Sequence, residues 1–199
     1  MLQAAAHDLI LASTSRYRRE LLERLRVPFR TVSPEVDETP NPGEAPAALA
    51  ERLALAKAQA VAQRHPQGWV IGSDQVADLH GQPIGKPGHH AAAVAQLRAM
   101  SGQSLVFQTG VAVVAPGFAR TVCVPIRVRL RQLDDAEIEH YLRLETPYDC
   151  AGSAKSEGLG ISLMEAIESD DPTALIGLPL IATCQLLRAS GFPLMALAR

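Results

Sequence analysis

The chain has 199 residues, 47% of them hydrophobic and 20% charged, and its 19 Lys and Arg against 21 Asp and Glu give a net charge of −2. Such a balance is that of an ordinary globular protein and excludes a disordered chain, a fibrous repeat and a general coat for polyanions. The length suits one domain over residues 1–199, large enough to bury a real core without disulfides. The three cysteines, Cys123, Cys150 and Cys184, form no C-x-x-C pair and share no metal-ligand spacing with the six histidines.

The N-terminal stretch 1–20 has no basic region ahead of its short apolar run, and Asp8 interrupts that run, so an export signal is not expected. Free cysteines at wide spacing fit a reducing, cytoplasmic setting. Asp8 to Ala12 reads as a short buried strand, Ser13-Thr14-Ser15 supplies hydroxyls for a helix N-cap, and Leu21, Leu22 and Leu25 repeat at helical spacing. A loop punctuated by Pro34, Pro40, Pro42 and Pro46 follows, then an Ala- and Leu-rich helix from about Ala47 to Gln63.

Trp69 to Gly72 is an apolar run that ends in Ser73-Asp74-Gln75; Val76 to Leu79 resumes it before a turn at His80–Pro83. Pro87-Gly88 opens a helix through Met100. The β-branched runs Ser104–Ala115 and Arg120–Leu130, joined by Pro116-Gly117, predict an antiparallel pair. Asp134-Asp135 caps a helix to about Leu144, and Asp171-Pro172 marks another helical start. The most apolar window, Thr173 to Leu187, is too short for a membrane span and contains Pro179 and Gln185. Strands alternate with helices in one part and pair locally in another, which predicts a mixed α/β fold.

Local charge is less even than the total. Residues 16–30 carry six arginines against two glutamates, whereas residues 31–51 carry five acids and no base. Arg18 lies in the first turn after a Ser/Thr loop, where free N–H groups and the helix dipole favour an anion, so Ser13 and Arg18 form a candidate phosphate cradle. Asp74 follows an apolar strand and is expected at the mouth of the sheet, where ligands of α/β sheets bind; a turn aspartate is the alternative. Lys57 falls on the interior stripe of its helix with Leu53 and Val61, so it either snorkels to solvent or has an anionic partner. Lys86, in Gly85-Lys86-Pro87, and Glu157, between Lys155 and Gly160, lie in turn-rich loops. Arg127, Arg129 and Arg131 alternate with apolar residues as on the wet face of a strand. The basic cluster is confined to one helix of a slightly acidic chain, which argues against stable nucleic-acid binding.

Taken in order, LASTSRYRRELLERL (Leu11 to Leu25), PEVDE (Pro34 to Glu38), Lys57-Ala58, GSDQV (Gly72 to Val76), GKP (Gly85 to Pro87), Thr109-Gly110, CAGSAKSEGLGI (Cys150 to Ile161) and DDPTALIGLPL (Asp170 to Leu180) form a series. It resembles that of the Maf family of nucleotide pyrophosphatases over about Leu9 to Leu187, and within it the branch that acts on 7-methyl-GTP. The resemblance implies an ITPase-like fold, an elongated twisted mixed sheet flanked by helices, with two lobes around a central cleft and often a dimer. It implies a cytoplasmic enzyme, with no membrane association, that uses Mg²⁺ or Mn²⁺ to cleave a nucleoside triphosphate between the α- and β-phosphates.

By the same resemblance Asp74 is the proton acceptor, and Arg18, Lys57 and Lys86 are phosphate ligands. Glu38 lines the same cleft; Glu38 and Asp74, as hard oxygen ligands, would suit the metal, and Ser13, Tyr17, Gln75 and Glu157 are expected to contact substrate. Tyr17, Gln75 and Glu157 match the branch acting on 7-methyl-GTP, whereas pyrimidine-handling relatives tend to carry Thr-Asp-Thr at 73–75 and Gln at 157. A tyrosine face attracts a cationic base by about 0.5 to 2 kcal/mol. Arg16 stands where many relatives have Pro, with no consequence expected. UTP, dTTP or another modified nucleotide is the neighbouring alternative, and a regulator of septum formation that binds nucleotide without catalysis is the more distant one.

Overall fold

The computed structural model describes residues 7–199; residues 1–6, part of the segment read above for an export signal, lie outside it. Seven strands form one mixed sheet: β1 (Leu9–Leu11), β2 (Arg30–Thr31), β3 (Trp69–Leu79), β4 (Gln82–Ile84), β5 (Ser104–Ala115), β6 (Phe118–Leu130) and β7 (Met164–Glu168). Their order is β2-β1-β3-β5-β6-β7, with β4 paired to the far end of β3. β1 runs parallel to β2 and β3, and the remaining pairs are antiparallel. Six helices flank the sheet: α1 (Arg16–Glu23), α2 (Pro46–Ala62), α3 (His90–Met100), α4 (Asp135–Glu145), α5 (Leu180–Ala189) and α6 (Leu194–Leu197). Among the described residues no helix is long and apolar enough to cross a membrane.

Alternation along the long strands divides the core. Ile10, Val70 and Ala112 face α2 through Ala54, Ala58 and Val61. Leu9, Leu11, Ile71, Val111 and Val113 pack on α1 and α5 through Leu21, Leu22, Leu186 and Leu187. Farther along the sheet Leu105, Phe107, Ile126 and Val128 meet α3 and α4 through Leu97, Met100, Ile138 and Tyr141.

Two expectations change. The polar triplet Ser73-Asp74-Gln75 does not end a strand: β3 runs unbroken from Trp69 to Leu79 and pairs with β5 throughout that triplet. Asp74 therefore sits within a strand rather than in the loop after one. It still lies at an opening, because β1 pairs with β3 only up to Ile71 and β4 joins only at Ala77, so the stretch between has no paired strand on that side among the described residues. Asp171-Pro172 does not start a helix either. The buried Asp171 caps α5 from a distance, accepting the amides of Ile181 and Ala182 at 2.7 and 3.3 Å on one oxygen and Thr173 Oγ1 at 2.6 Å on the other. A caesura of this kind joins the last strand to α5 through a single 3-10 turn at Ala174–Ile176.

Gly72 and Gly110 fix how closely α2 lies on the sheet. A β-carbon at either would run into the α2 backbone, at Ala54 O and Ala50 O respectively. The close approach seats Lys57, one turn along from Ala54, directly over Asp74. Gly72→Ala is expected to lower stability by about 1–3 kcal/mol through overpacking and to cut activity further than the loss of folded protein explains. Thermal melts beside activity per folded molecule check this; an unchanged specific activity would show that the helix spacing does not set the site.

Candidate active site

The gap beside β3 opens into a cavity of about 710 Å³. Every sequence-predicted site residue borders it: Ser13, Tyr17, Arg18, Glu38, Lys57, Asp74, Gln75, Lys86 and Glu157. They come from six separate stretches of chain, and each stretch is anchored by bonds of its own.

Lys57 and Asp74 are both buried, at 4% and 8% exposure. The ammonium donates to Asp74 Oδ1 at 2.7 Å and pairs with Glu38 Oε1 at 2.6 Å, so it bridges two carboxylates and does not snorkel. Burial pushes the Glu38 carboxyl up, but the hydrogen bond and charge of Lys57, with Lys86 and Arg18 beyond, outweigh this and hold it below its ordinary value. The proline-rich loop that carries Glu38 is clamped to α2 by Arg52, which donates to both oxygens of Glu44 at 2.6 and 2.7 Å and to Thr39 O at 3.1 Å. That bidentate pair, with the Asn41 amide, holds the Glu44 carboxyl down at about 2. Nothing in the local sequence marks Arg52 and Glu44 as site-shaping residues, because their partnership spans eight residues and forms only when the loop folds back on α2.

At the start of α1, Ser15 is the N-cap and its hydroxyl accepts the Arg18 amide at 3.4 Å, while Ser13 Oγ accepts the Ser15 amide at 3.1 Å. The amides of Arg16 and Tyr17 have no acceptor among the described residues, and both residues border the cavity. Arg18 Nε donates to Gly177 O at 2.9 Å, which turns the rest of the guanidinium toward the cavity. The same carbonyl accepts the buried Ser73 hydroxyl at 2.9 Å, so Arg18 is aimed by a turn that β3 itself holds. Burial draws the Arg18 pKa down from its ordinary value, opposed by the charges of Asp74 and Glu38; a guanidinium stays cationic through such a shift.

Gln75 is less free than expected. Its amide nitrogen lies within 3.0 Å of Thr109 Oγ1, Ala174 O and Leu175 O, so both protons are engaged in holding the 174–177 turn and only Oε1 remains for a ligand. Tyr17 is also engaged. Arg16 lies over its ring at 4.7 Å and donates to its hydroxyl at 2.7 Å, so Arg16 covers the face expected to meet a base. The sequence reading gave Arg16 no part in the site; the structure places it on the cavity wall against Tyr17. Glu157 is exposed, and among the described residues its carboxylate makes no hydrogen bond or ion pair. Cys150 borders the cavity too, but burial and the nearby Asp149 push its thiol up to about 12; it stays a neutral thiol and is no nucleophile at physiological pH.

The arrangement therefore offers a cationic rim (Arg18, Lys86 and two helix amides) beside a carboxylate pair locked on one buried ammonium. Cations in that position neutralise a polyphosphate, and a carboxylate beside them can accept a proton.

The comparisons agree with this chemistry. Relatives similar to this chain carry the name 7-methyl-GTP pyrophosphatase. The protein from Polaromonas sp. is 62% identical over 98% of this chain and 90% of its own length. That from Albidiferax ferrireducens is 59% identical over 98% and 99%, and that from Burkholderia pseudomallei 61% over 94% and 89%. Among solved structures the Staphylococcus aureus Ham1 protein is similar over 62% of this chain and 71% of its own, with a TM-score of 0.44 and 14% identity. The family described as Maf-like protein matches residues 8–190, all but the two ends, and with relatives this similar along the whole length the chain belongs to the Maf family.

Proposed function

We propose that the chain hydrolyses the α–β phosphoanhydride of 7-methyl-GTP in this cavity, giving 7-methyl-GMP and pyrophosphate, and that it does so in the cytoplasm. The observation that carries the reading is the Glu38–Lys57–Asp74 bridge beside Arg18 and Lys86 in one cavity, in a chain about three-fifths identical to proteins of that name. Water adds to the α-phosphorus, the bridging oxygen departs with pyrophosphate, and the proton lost by the water passes to Asp74.

A triphosphate brings about four negative charges to a chain of net −2. Arg18, Lys86 and the α1 amides would bind its oxygens and stabilise charge on the leaving pyrophosphate. Lys57 holds the two carboxylates in place, so that Asp74 presents its second oxygen to the attacking water. Glu38 and Asp74 converge on one ammonium and are hard oxygen donors, a set that fits Mg²⁺ or Mn²⁺. Among the described residues no group of three or more His, Cys, Asp or Glu converges, so these two would share such an ion with phosphate oxygens. A bound divalent ion would supply charge neutralisation and a more acidic water.

For the base, Glu157 is the free anionic acceptor at the rim. A carboxylate can accept from both N1–H and the N2 amine of a guanine, which uracil and thymine do not offer together, and its charge favours the cationic 7-methyl form. Glu157→Gln is expected to reduce the preference for 7-methyl-GTP over GTP by about 5- to 30-fold, the difference between a charged and a neutral hydrogen bond. Pyrophosphate release from 7-methyl-GTP, GTP and UTP with Mg²⁺ or Mn²⁺ checks both statements. An unchanged ranking overturns the role of Glu157; no metal-dependent release by the wild-type chain overturns the enzyme.

A further inference from the structure

Lys86 is exposed on a loop with no ion-pair partner among the described residues, yet its place at the cavity rim demands that the loop be held. The preceding residue supplies the hold. Gly85 O accepts from Gln96 Nε2 of α3 at 3.1 Å and from the Gly152 amide at 3.4 Å. Gln96 is itself fixed from the other side, its Oε1 accepting from Ser153 Oγ at 2.6 Å. Ser153 is fully buried and sits at φ +55°, a left-handed conformation unusual for a residue with a side chain. Among the described residues its hydroxyl makes no other hydrogen bond, so Gln96 also satisfies a buried polar group. The Ser153 carbonyl in turn accepts from Tyr141 Oη at 3.1 Å, and that hydroxyl accepts the Lys155 amide at 3.1 Å, two residues before Glu157.

One carboxamide therefore ties the loop bearing Lys86 to the buried turn that leads to Glu157. It touches neither the cavity nor any residue assigned above to phosphate or base. Resting on the proposed role of Lys86 as a phosphate ligand, we infer that Gln96 is a positioning residue: it sets the Lys86 ammonium against the leaving pyrophosphate by holding the Gly85 carbonyl.

Gln96→Glu keeps an acceptor for Ser153 but sets a carboxylate oxygen against Gly85 O; Gln96→Ala removes both bonds. A misplacement of about 1 Å costs up to about a hundredfold in rate, so each variant is expected to lose about tenfold or more in kcat/KM for 7-methyl-GTP in the wild-type background. In the Lys86→Ala background, where no ammonium is left to position, the same change is expected to cost less than about twofold. A residue that merely supports the fold would cost the same factor in both backgrounds. Equal losses in the two backgrounds, or full activity in both Gln96 variants, overturn the inference. If Lys86→Ala alone leaves kcat/KM unchanged, the inference falls together with the role of Lys86, a result that the single variant identifies by itself. Should the Gln96 variants not fold, Ser153→Ala, which frees one end of the carboxamide, is expected to show the same dependence on background at smaller size, and its absence overturns the inference equally.

Discussion

Replacing Asp74 by Asn is expected to lower kcat for pyrophosphate release from 7-methyl-GTP by about 10²- to 10⁴-fold, the range in which a positioned base contributes. The change is isosteric. The asparagine oxygen can still accept from Lys57 Nζ, now 2.7 Å from Asp74 Oδ1, and β3 keeps its pairing with β5 through this position. What disappears is the negative charge, and with it both the proton acceptor and half of the carboxylate pair suited to a divalent ion. Arg18, Lys86 and the α1 amides are untouched, so KM is expected to change much less than kcat. That split distinguishes loss of chemistry from loss of binding. Steady-state kinetics with a pyrophosphate readout, beside a thermal melt, measures it. A kcat within about threefold of wild type would remove Asp74 from the reaction and require another proton acceptor in the cavity.

The elements that carry the core were legible because their signals are local. Leu21, Leu22 and Leu25 repeat at helical spacing, and β5 and β6 alternate about a Pro-Gly turn. The site was legible as a set of residue types in order, and the structure gathers all nine around one cavity. Misreadings arose where a polar residue has a partner far away in sequence. Ser73, Asp74 and Gln75 read as a break in a strand, yet each is bonded across the fold: Ser73 to the Gly110 and Gly177 carbonyls, Asp74 to Lys57, Gln75 to the 174–177 turn. Those bonds offset the desolvation of polar side chains within a buried strand. Asp171 misled in the same way, since it caps a helix that begins nine residues later. Gly72 and Gly110 did carry a usable sign: a glycine within a strand marks close approach of another backbone, and here that backbone is α2. β7 escaped notice because two of the five residues of its MEAIE sequence are charged and its pairing with β6 is set by tertiary contact.

The second large effect is expected at Lys57. Between snorkelling and pairing, the structure selects pairing, and the consequences differ in a measurable way. Lys57→Met keeps the apolar stem against α2's neighbours and removes only the charge, leaving Asp74 buried at 8% exposure with no cation on its Oδ1. Breaking a buried pair from one side costs about 3–5 kcal/mol; water entering the open cavity should hold the loss near about 3, roughly 6–12 °C in melting temperature for a chain of this size. The pH dependence has a definite sign. Glu38 is held below its ordinary pKa mainly by Lys57 against the opposing effect of burial. Its pairing therefore stabilises the fold above the ordinary carboxylate pKa and is lost as pH falls through the depressed one. The variant lacks that contribution at every pH, so the gap in melting temperature between wild type and variant should narrow on acidification. Adding Asp74→Asn to Lys57→Met removes the uncompensated charge and should recover part of the loss, whereas two independent sites would simply add. A pH-independent gap with no recovery in the double variant would mean that the ion pairs of Lys57 do not account for the loss, and the carboxylates would then need another explanation for their convergence.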